Sequence, residues 1–151
     1  MNAIDPVKAA QVWQRVHATP EEATQPREAG LMELIAGEWQ TAGIYLQLAR
    51  RYTGKLHTQL HKLSQQEQSH TACLKGIYTL ITGKKPKVAP APPITGETLT
   101  CLRRCYGASM QQLARYEARV NDPEYGHIFQ RLAQQEKEHC HTLLELMGNL
   151  K

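Results

Sequence analysis

The chain has 151 residues, 41% of them hydrophobic and 21% charged, a length and balance suited to one ordinary domain with a sizeable core. No apolar run approaches the roughly 18 residues that cross a bilayer, and Met1-Asn2-Ala3-Ile4-Asp5-Pro6 lacks the basic and apolar stretches of a signal peptide, so a cytoplasmic protein with no membrane partner is expected. The formal charge of +4 is not interleaved with base-stacking aromatics, which argues against nucleic acid as a partner.

Residues 5–17 predict a short helix, with Asp5 as N-cap, Pro6 at the first helical position and Val7, Ala10, Trp13 and Val16 as one apolar stripe. The following residues, 18–26, hold Pro20 and Pro26 among polar neighbours and read as a loop. A first long helix is expected over 27–53, because Leu31, Ile35, Ala42, Tyr45, Ala49 and Tyr52 recur at spacings that keep one face, with Gly54 closing it. The second follows at once, its seam formed by Leu56, Leu60, Leu63, Leu74, Ile77 and Ile81, and Gly83 ends it. Four prolines within residues 83–96 make an extended connector and exclude a helix there. A third helix, over 97–121, carries Leu99, Leu102, Tyr106, Ser109, Leu113, Tyr116 and Val120 on its seam. After the Asp122-Pro123 turn, a fourth lines up Tyr125, Phe129, Leu132, Leu143 and Leu146. No strand alternation appears. An all-α, ferritin-like four-helix bundle of two hairpins and a long crossover is the expected fold, with the N-terminal helix and loop over 1–26 and the bundle over 27–151.

Five ionisable residues interrupt these seams. Leu132-Ala133-Gln134-Gln135-Glu136-Lys137-Glu138-His139 nearly copies Leu63-Ser64-Gln65-Gln66-Glu67-Gln68-Ser69-His70, so a Glu-x-x-His turn stands in each of two equivalent segments. Residues three apart share a helix face, and each turn therefore aims a carboxylate and an imidazole the same way. Glu38 fills a seam slot of the first long helix. It lies 16 residues before Gly54, while Glu67 and His70 lie 13 and 16 after it. At about 1.5 Å per residue all three stand roughly 20 to 24 Å from that turn, and Glu136 and His139 stand roughly 21 to 26 Å from Asp122. All five should share one layer near mid-bundle. Three converging carboxylates repel one another unless protons or cations intervene, and carboxylate oxygens with imidazole nitrogens suit divalent iron or manganese.

Beyond the pattern itself, the chain resembles the ferritin-like superfamily, most closely its rubrerythrin-like branch. Gly37-Glu38-Trp39-Gln40 with Tyr45 is similar to that branch's first-helix motif, and Leu132 to His139 after Asp122-Pro123-Glu124 is similar to its last. The resemblance implies a di-iron carboxylate site with Glu38 and His70 on one ion, Glu67 and Glu136 bridging, and His139 on the second, with manganese or zinc as alternatives to iron. It also implies a glutamate on the third helix, where this chain has Ala108 or Ser109. The second ion is then held by fewer protein ligands, and Cys105 and Tyr106 are the nearest replacements. A satisfied, metal-free network of buried Glu and His is the competing reading.

The four cysteines, Cys73, Cys101, Cys105 and Cys140, contain no Cys-x-x-Cys pair, so a rubredoxin-like knuckle is not expected and the thiols should be reduced packing groups. His57 and His61, four apart but off the seam, are expected to be solvated. An oxidoreductase acting on peroxide or dioxygen is the first functional expectation, with a separate electron donor and a homodimer or larger homo-oligomer as its assembly. The alternatives are a non-catalytic metal-binding or storage protein and a metal-free interaction module.

Overall fold

The structure is a computed structural model that describes residues 6, 7 and 20–150, with the side chains of 20–27 excepted. Four long helices make it up: α1 (Pro20–Ala49), α2 (Gly54–Thr82), α3 (Thr98–Glu117) and α4 (Gly126–Asn149). α1 pairs with α2 and α3 with α4 as two hairpins, while α2 and α4 touch only sparsely across the bundle. This is the expected ferritin-like arrangement. The expected helix over 5–17 lies outside the described residues except for Pro6 and Val7, which are helical.

Three boundaries differ from the sequence reading. α1 begins at Pro20 rather than after Pro26. A proline at the first helical position gives up no intrahelical bond, and Glu21, Glu22 and Ala23 are strong helix formers, so the first proline opens the helix instead of a loop. α1 also stops at Ala49, four residues early, where the bonds tighten to Arg51 N–H on Leu48 O (3.0 Å) and Tyr52 N–H on Ala49 O (3.2 Å). The Ala49 carbonyl is taken as well by His57 Nδ1 at 2.8 Å, which gives that histidine a capping role. α3 ends at Glu117 rather than near 121, and Asp122 Oδ1 then accepts the N–H groups of Glu124 and Tyr125 at 3.0 and 2.9 Å to turn the chain into α4.

The seam of α3 is the main correction to the packing. Its buried residues are Thr98, Cys101, Leu102, Cys105, Ser109, Gln112 and Tyr116, whereas Leu99, Tyr106 and Leu113 are only half-buried. A reading by apolarity ranks Leu and Tyr above Cys and Gln, and so places the stripe slightly off its true line. The other seams stand along their middles, where Leu31, Ile35, Ala42, Tyr45 and Ala49 of α1, Leu60, Leu63, Leu74 and Ile77 of α2, and Phe129, Leu132, Leu143 and Leu146 of α4 are buried, while Tyr52, Leu56, Ile81 and Tyr125 at the ends are half-buried.

The crossover is fastened along α1. Gln47 uses both ends of its amide, Nε2 donating to Pro92 O at 3.2 Å and Oε1 accepting from Ile94 N–H at 2.8 Å. Arg51 Nη1 donates to Gly96 O at 2.8 Å, and the Tyr52 hydroxyl donates to Thr98 Oγ1 at 2.6 Å. These bonds fix where α3 starts, and hence the height at which its residues meet the layer.

Two glycines of α2 should respond to alanine with opposite signs. Gly83 caps the helix in a left-handed conformation, φ 71°, donating its N–H to Thr79 O at 2.8 Å. Gly83→Ala should lower stability by about 1 kcal/mol, because a Cβ disfavours that backbone whatever space surrounds it. Gly76 sits in the exposed helix interior with nothing near an added Cβ, and Gly76→Ala should raise stability by about 0.5–1 kcal/mol. Urea unfolding midpoints of the two variants, at unchanged m, measure both effects.

Candidate metal centre

The core is two apolar clusters, not one. Toward one end lie Leu31, Leu34, Ile35, Leu74, Ile77 and Tyr116 with Phe129 and Leu132; toward the other lie Tyr45, Leu48, Leu60, Leu63, Leu102 and Leu143 with Leu146. Between them in every helix falls a polar stretch: Glu38 on α1, Glu67 and His70 on α2, Ser109 and Gln112 on α3, Glu136 and His139 on α4. Each of the five ionisable side chains is at most 4% exposed, although carboxylates are seldom fully buried unless paired. The layer expected from residue counting is therefore present at mid-bundle.

Within it the two histidines face the carboxylates through Nδ1. His70 Nδ1 is 3.6 Å from Glu38 Oε2 and 3.6 Å from Glu136 Oε2. His139 Nδ1 is 3.6 Å from Glu136 Oε2 and makes its closest contact with Glu67 Oε1. Glu136 is thus shared by both imidazoles, whose rings stack with centroids 5.4 Å apart. Ligand atoms of Glu67, His70, Glu136 and His139 all lie within 4.8 Å of one another, a group of four that could hold an ion. Glu38 stands just outside that group and reaches it through His70.

Glu38 is held by one oxygen only. Its Oε1 accepts from the Tyr116 hydroxyl at 2.6 Å and from Gln112 Nε2 at 3.4 Å, and the same Gln112 nitrogen donates to Leu34 O at 3.0 Å. Gly37 allows that approach, since a Cβ there would stand 2.8 Å from Gln112 Nε2. Glu38 Oε2 is left facing the layer. Among the described residues eight buried side-chain nitrogen or oxygen atoms lack a hydrogen-bond partner, and six of them are Glu38 Oε2, both Glu67 oxygens, His70 Nδ1, Glu136 Oε2 and His139 Nδ1. Ion-pair contacts join five of these six atoms to one another and leave Glu67 Oε2 without one, so the inward atoms of the layer meet only each other, an arrangement that suits a ligand that takes lone pairs. A divalent cation is such a ligand, and the donor set fits it.

The electrostatics of the layer point the same way. Burial alone would lower the His70 pKa, yet Glu136 and Glu38 outweigh it and raise it to about 10. Burial would raise Glu136, but hydrogen bonds from His139 and His70 bring it down to about 2. Glu38 moves up from its ordinary value, burial and the charge of Glu136 outweighing His70 and Tyr116. The carboxylates around His70 thus favour positive charge at the centre of the layer.

The third helix brings no carboxylate. Ser109 is the residue that enters the layer, buried against Tyr45 and Glu136, while Ala108 lines a groove of about 490 Å³ between α1 and α3. Glu97 and Glu117 are exposed. Cys105 packs in the apolar cluster beside Tyr45 with its thiol pushed up to about 12 by burial, and Tyr106 is half-buried, so neither replaces the glutamate as a ready anionic ligand. All four cysteines are free. Sequence reasoning missed Tyr116 and Gln112 as partners of Glu38, having read one as seam packing and passed over the other.

A protein-family model described as Rubrerythrin matches residues 30–147, a span that contains all five ionisable residues. No curated protein and no solved structure matches the chain. No helix among the described residues is long and apolar enough to cross a membrane.

With a chelator present, stability should peak between about pH 4.5 and 6.5 and fall on either side. His70, raised from 6.5 to about 10, contributes stability that is complete below pH 6.5 and is lost as pH rises through about 10. Glu38, also raised, acts in the same sense from a lower pH: its contribution is complete below 4.5 and declines as pH rises above that, which sets the maximum at the lower end of the window. Glu136, lowered from 4.5 to about 2, contributes above pH 4.5 and fails as pH falls toward 2. Urea midpoints measured across this range test the profile, and a midpoint that stays level from pH 6 to 10 contradicts it.

Proposed function

Since the chain belongs to the rubrerythrin family, we propose that its buried Glu and His layer holds a pair of divalent metal ions, iron first among them, and that the protein is an oxidoreductase acting on peroxide or dioxygen. The observation that carries the reading is the convergence of three carboxylates and two imidazoles, their inward atoms facing only one another, between two apolar clusters. A bound iron pair supplies the electrons that reduce an O–O bond.

The residues of the chain do the rest. Glu67, His70, Glu136 and His139, with Glu38 beside them, would hold the ions. Tyr116 and Gln112 orient Glu38 by holding Oε1, so that Oε2 alone is offered inward. The apolar residues above and below keep water from the layer, which strengthens every charge interaction inside it. Ser109 stands where a further carboxylate is expected, so a second ion would be held by fewer protein ligands. Electrons would come from a donor outside the bundle, none of whose four cysteines stands in a Cys-x-x-Cys pair of the kind that binds a redox iron.

A second reading rests on that same serine. With one carboxylate fewer the second ion is bound weakly, and the protein then binds or stores metal without turning over. Manganese and zinc are compatible with the donors in that case.

Element analysis of the purified protein, followed by peroxide consumption after iron loading and reduction, separates the readings. About two metal ions per chain, and peroxide consumed at least tenfold faster than by Glu136→Ala, support the oxidoreductase. Bound metal with equal rates for the two proteins leaves the storage reading. Wild-type protein that retains no stoichiometric iron, manganese or zinc overturns both.

A further inference from the structure

Both Glu-x-x-His turns are preceded by glutamine, and the two glutamines do the same thing from opposite sides. His70 Nε2 is 2.7 Å from Gln135 Oε1, and His139 Nε2 is 2.8 Å from Gln66 Oε1. The contacts are crossed: the amide that follows Gln134 on α4 holds the histidine of α2, and the amide that follows Gln65 on α2 holds the histidine of α4. Position alone does not force this, because Gln66 also lies one turn before His70 on its own helix and could have met that ring instead. The residue just before each seam glutamate points about 100° away from it around the helix, along the gap between α2 and α4. That gap opens as a cavity of about 130 Å³ lined by Gln66, Ser69, His70, Gln135, Glu138 and His139. Ser69 and Glu138, equivalent in the repeat, are exposed at its rim, and the glutamines are half-buried beneath them.

From this geometry we infer that Gln66 and Gln135 are positioning residues, each fixing the histidine of the opposite helix with Nε2–H outward so that both Nδ1 lone pairs face the carboxylates. An amide oxygen is an acceptor only, so the ring nitrogen beside it must carry the hydrogen. Nδ1 is then the nitrogen left for a ligand, and it is the one found beside Glu38, Glu67 and Glu136. The partner of a ligating imidazole sets both its orientation and its basicity. A neutral amide sets orientation without adding a further negative charge to a layer that already holds three carboxylates. The crossing adds a second consequence. Each histidine is oriented from the opposite helix, so the clamp is complete only when α2 and α4 meet across a gap they otherwise bridge sparsely.

The inference rests on the metal reading, and the test keeps the two apart. Zinc is the probe, since it is diamagnetic and fits the same donors. In the zinc-loaded protein, ¹H–¹⁵N spectra of the imidazoles should show slowly exchanging Nε2–H signals for both His70 and His139. Gln135→Leu should abolish the slow exchange at His70 alone and Gln66→Leu at His139 alone, each with about 10–100-fold weaker zinc affinity. Gln→Glu at either position, with an acceptor of nearly the same shape, should restore the protected signal and the affinity. Each variant losing protection at the histidine of its own helix, or at neither, overturns the clamp, as does unchanged zinc affinity in both leucine variants. Should the wild type take up no zinc, the metal reading fails, and the same crossed pattern recorded on the metal-free protein still decides whether the clamp exists.

Discussion

Everything else in this bundle is arranged around a layer of buried charge that cannot stay buried on its own. Three carboxylates and two imidazoles interrupt the core between two apolar clusters, at a depth where an uncompensated charge costs several kcal/mol. Helix order, seam phase and crossover length all serve to bring these five side chains to one height. The surrounding polar groups satisfy the layer's outward atoms, Tyr116 and Gln112 on Glu38 Oε1 and the two glutamines on the Nε2 atoms, and leave the inward ones to each other. Thr41 and Thr71 return their hydroxyls to backbone carbonyls of their own helices at 2.8 Å, Ser64 bonds the Ala42 carbonyl, and Gln112 divides itself between Leu34 and Glu38. What remains pointing inward is a set of lone pairs, and such a set suits a cation better than any internal network.

The two halves of the site are related by the repeat but are not equal. On the side of α1, Glu38 is buttressed by Tyr116 and Gln112 from α3. On the other side α3 contributes Ser109, whose hydroxyl and that of Tyr45 complete the count of buried unpartnered atoms. A small neutral residue there offers no carboxylate, and the two proposed functions differ in how tightly a second ion would then be held.

Much of this was legible from the chain. The duplicated Gln-Gln-Glu-x-x-His turns located four of the five residues, and counting from Gly54 and Asp122 placed them in one layer, since a helix converts residue number into height. Glu38 was visible because a carboxylate in an apolar seam has no packing reason to be there. The stripe of α3 was read slightly off line, because Cys105 and Gln112 carry no apolar signal, and Gln112 is buried for the sake of Glu38 rather than for its own hydrophobicity. Tyr116 looked like packing because a tyrosine ring and a tyrosine hydroxyl cannot be separated by periodicity. The start of α1 was masked by two prolines, each of which can open a helix or forbid one depending on its position. Gln66 and Gln135 lay inside the very repeat that revealed the site, yet their part depends on which way the residue before each glutamate turns across a helix gap, and spacing along one helix does not encode that.

The central claim is that the layer is completed by metal rather than by protons. Diffraction from crystals of the iron-loaded protein, recorded on both sides of the iron absorption edge, tests it most directly. The account predicts anomalous density within bonding distance of His70 Nδ1 and His139 Nδ1, stronger on the side of Glu38 than on that of Ser109. An iron-loaded crystal with no anomalous density in the layer, its carboxylates and imidazoles bonded only to one another, would contradict it.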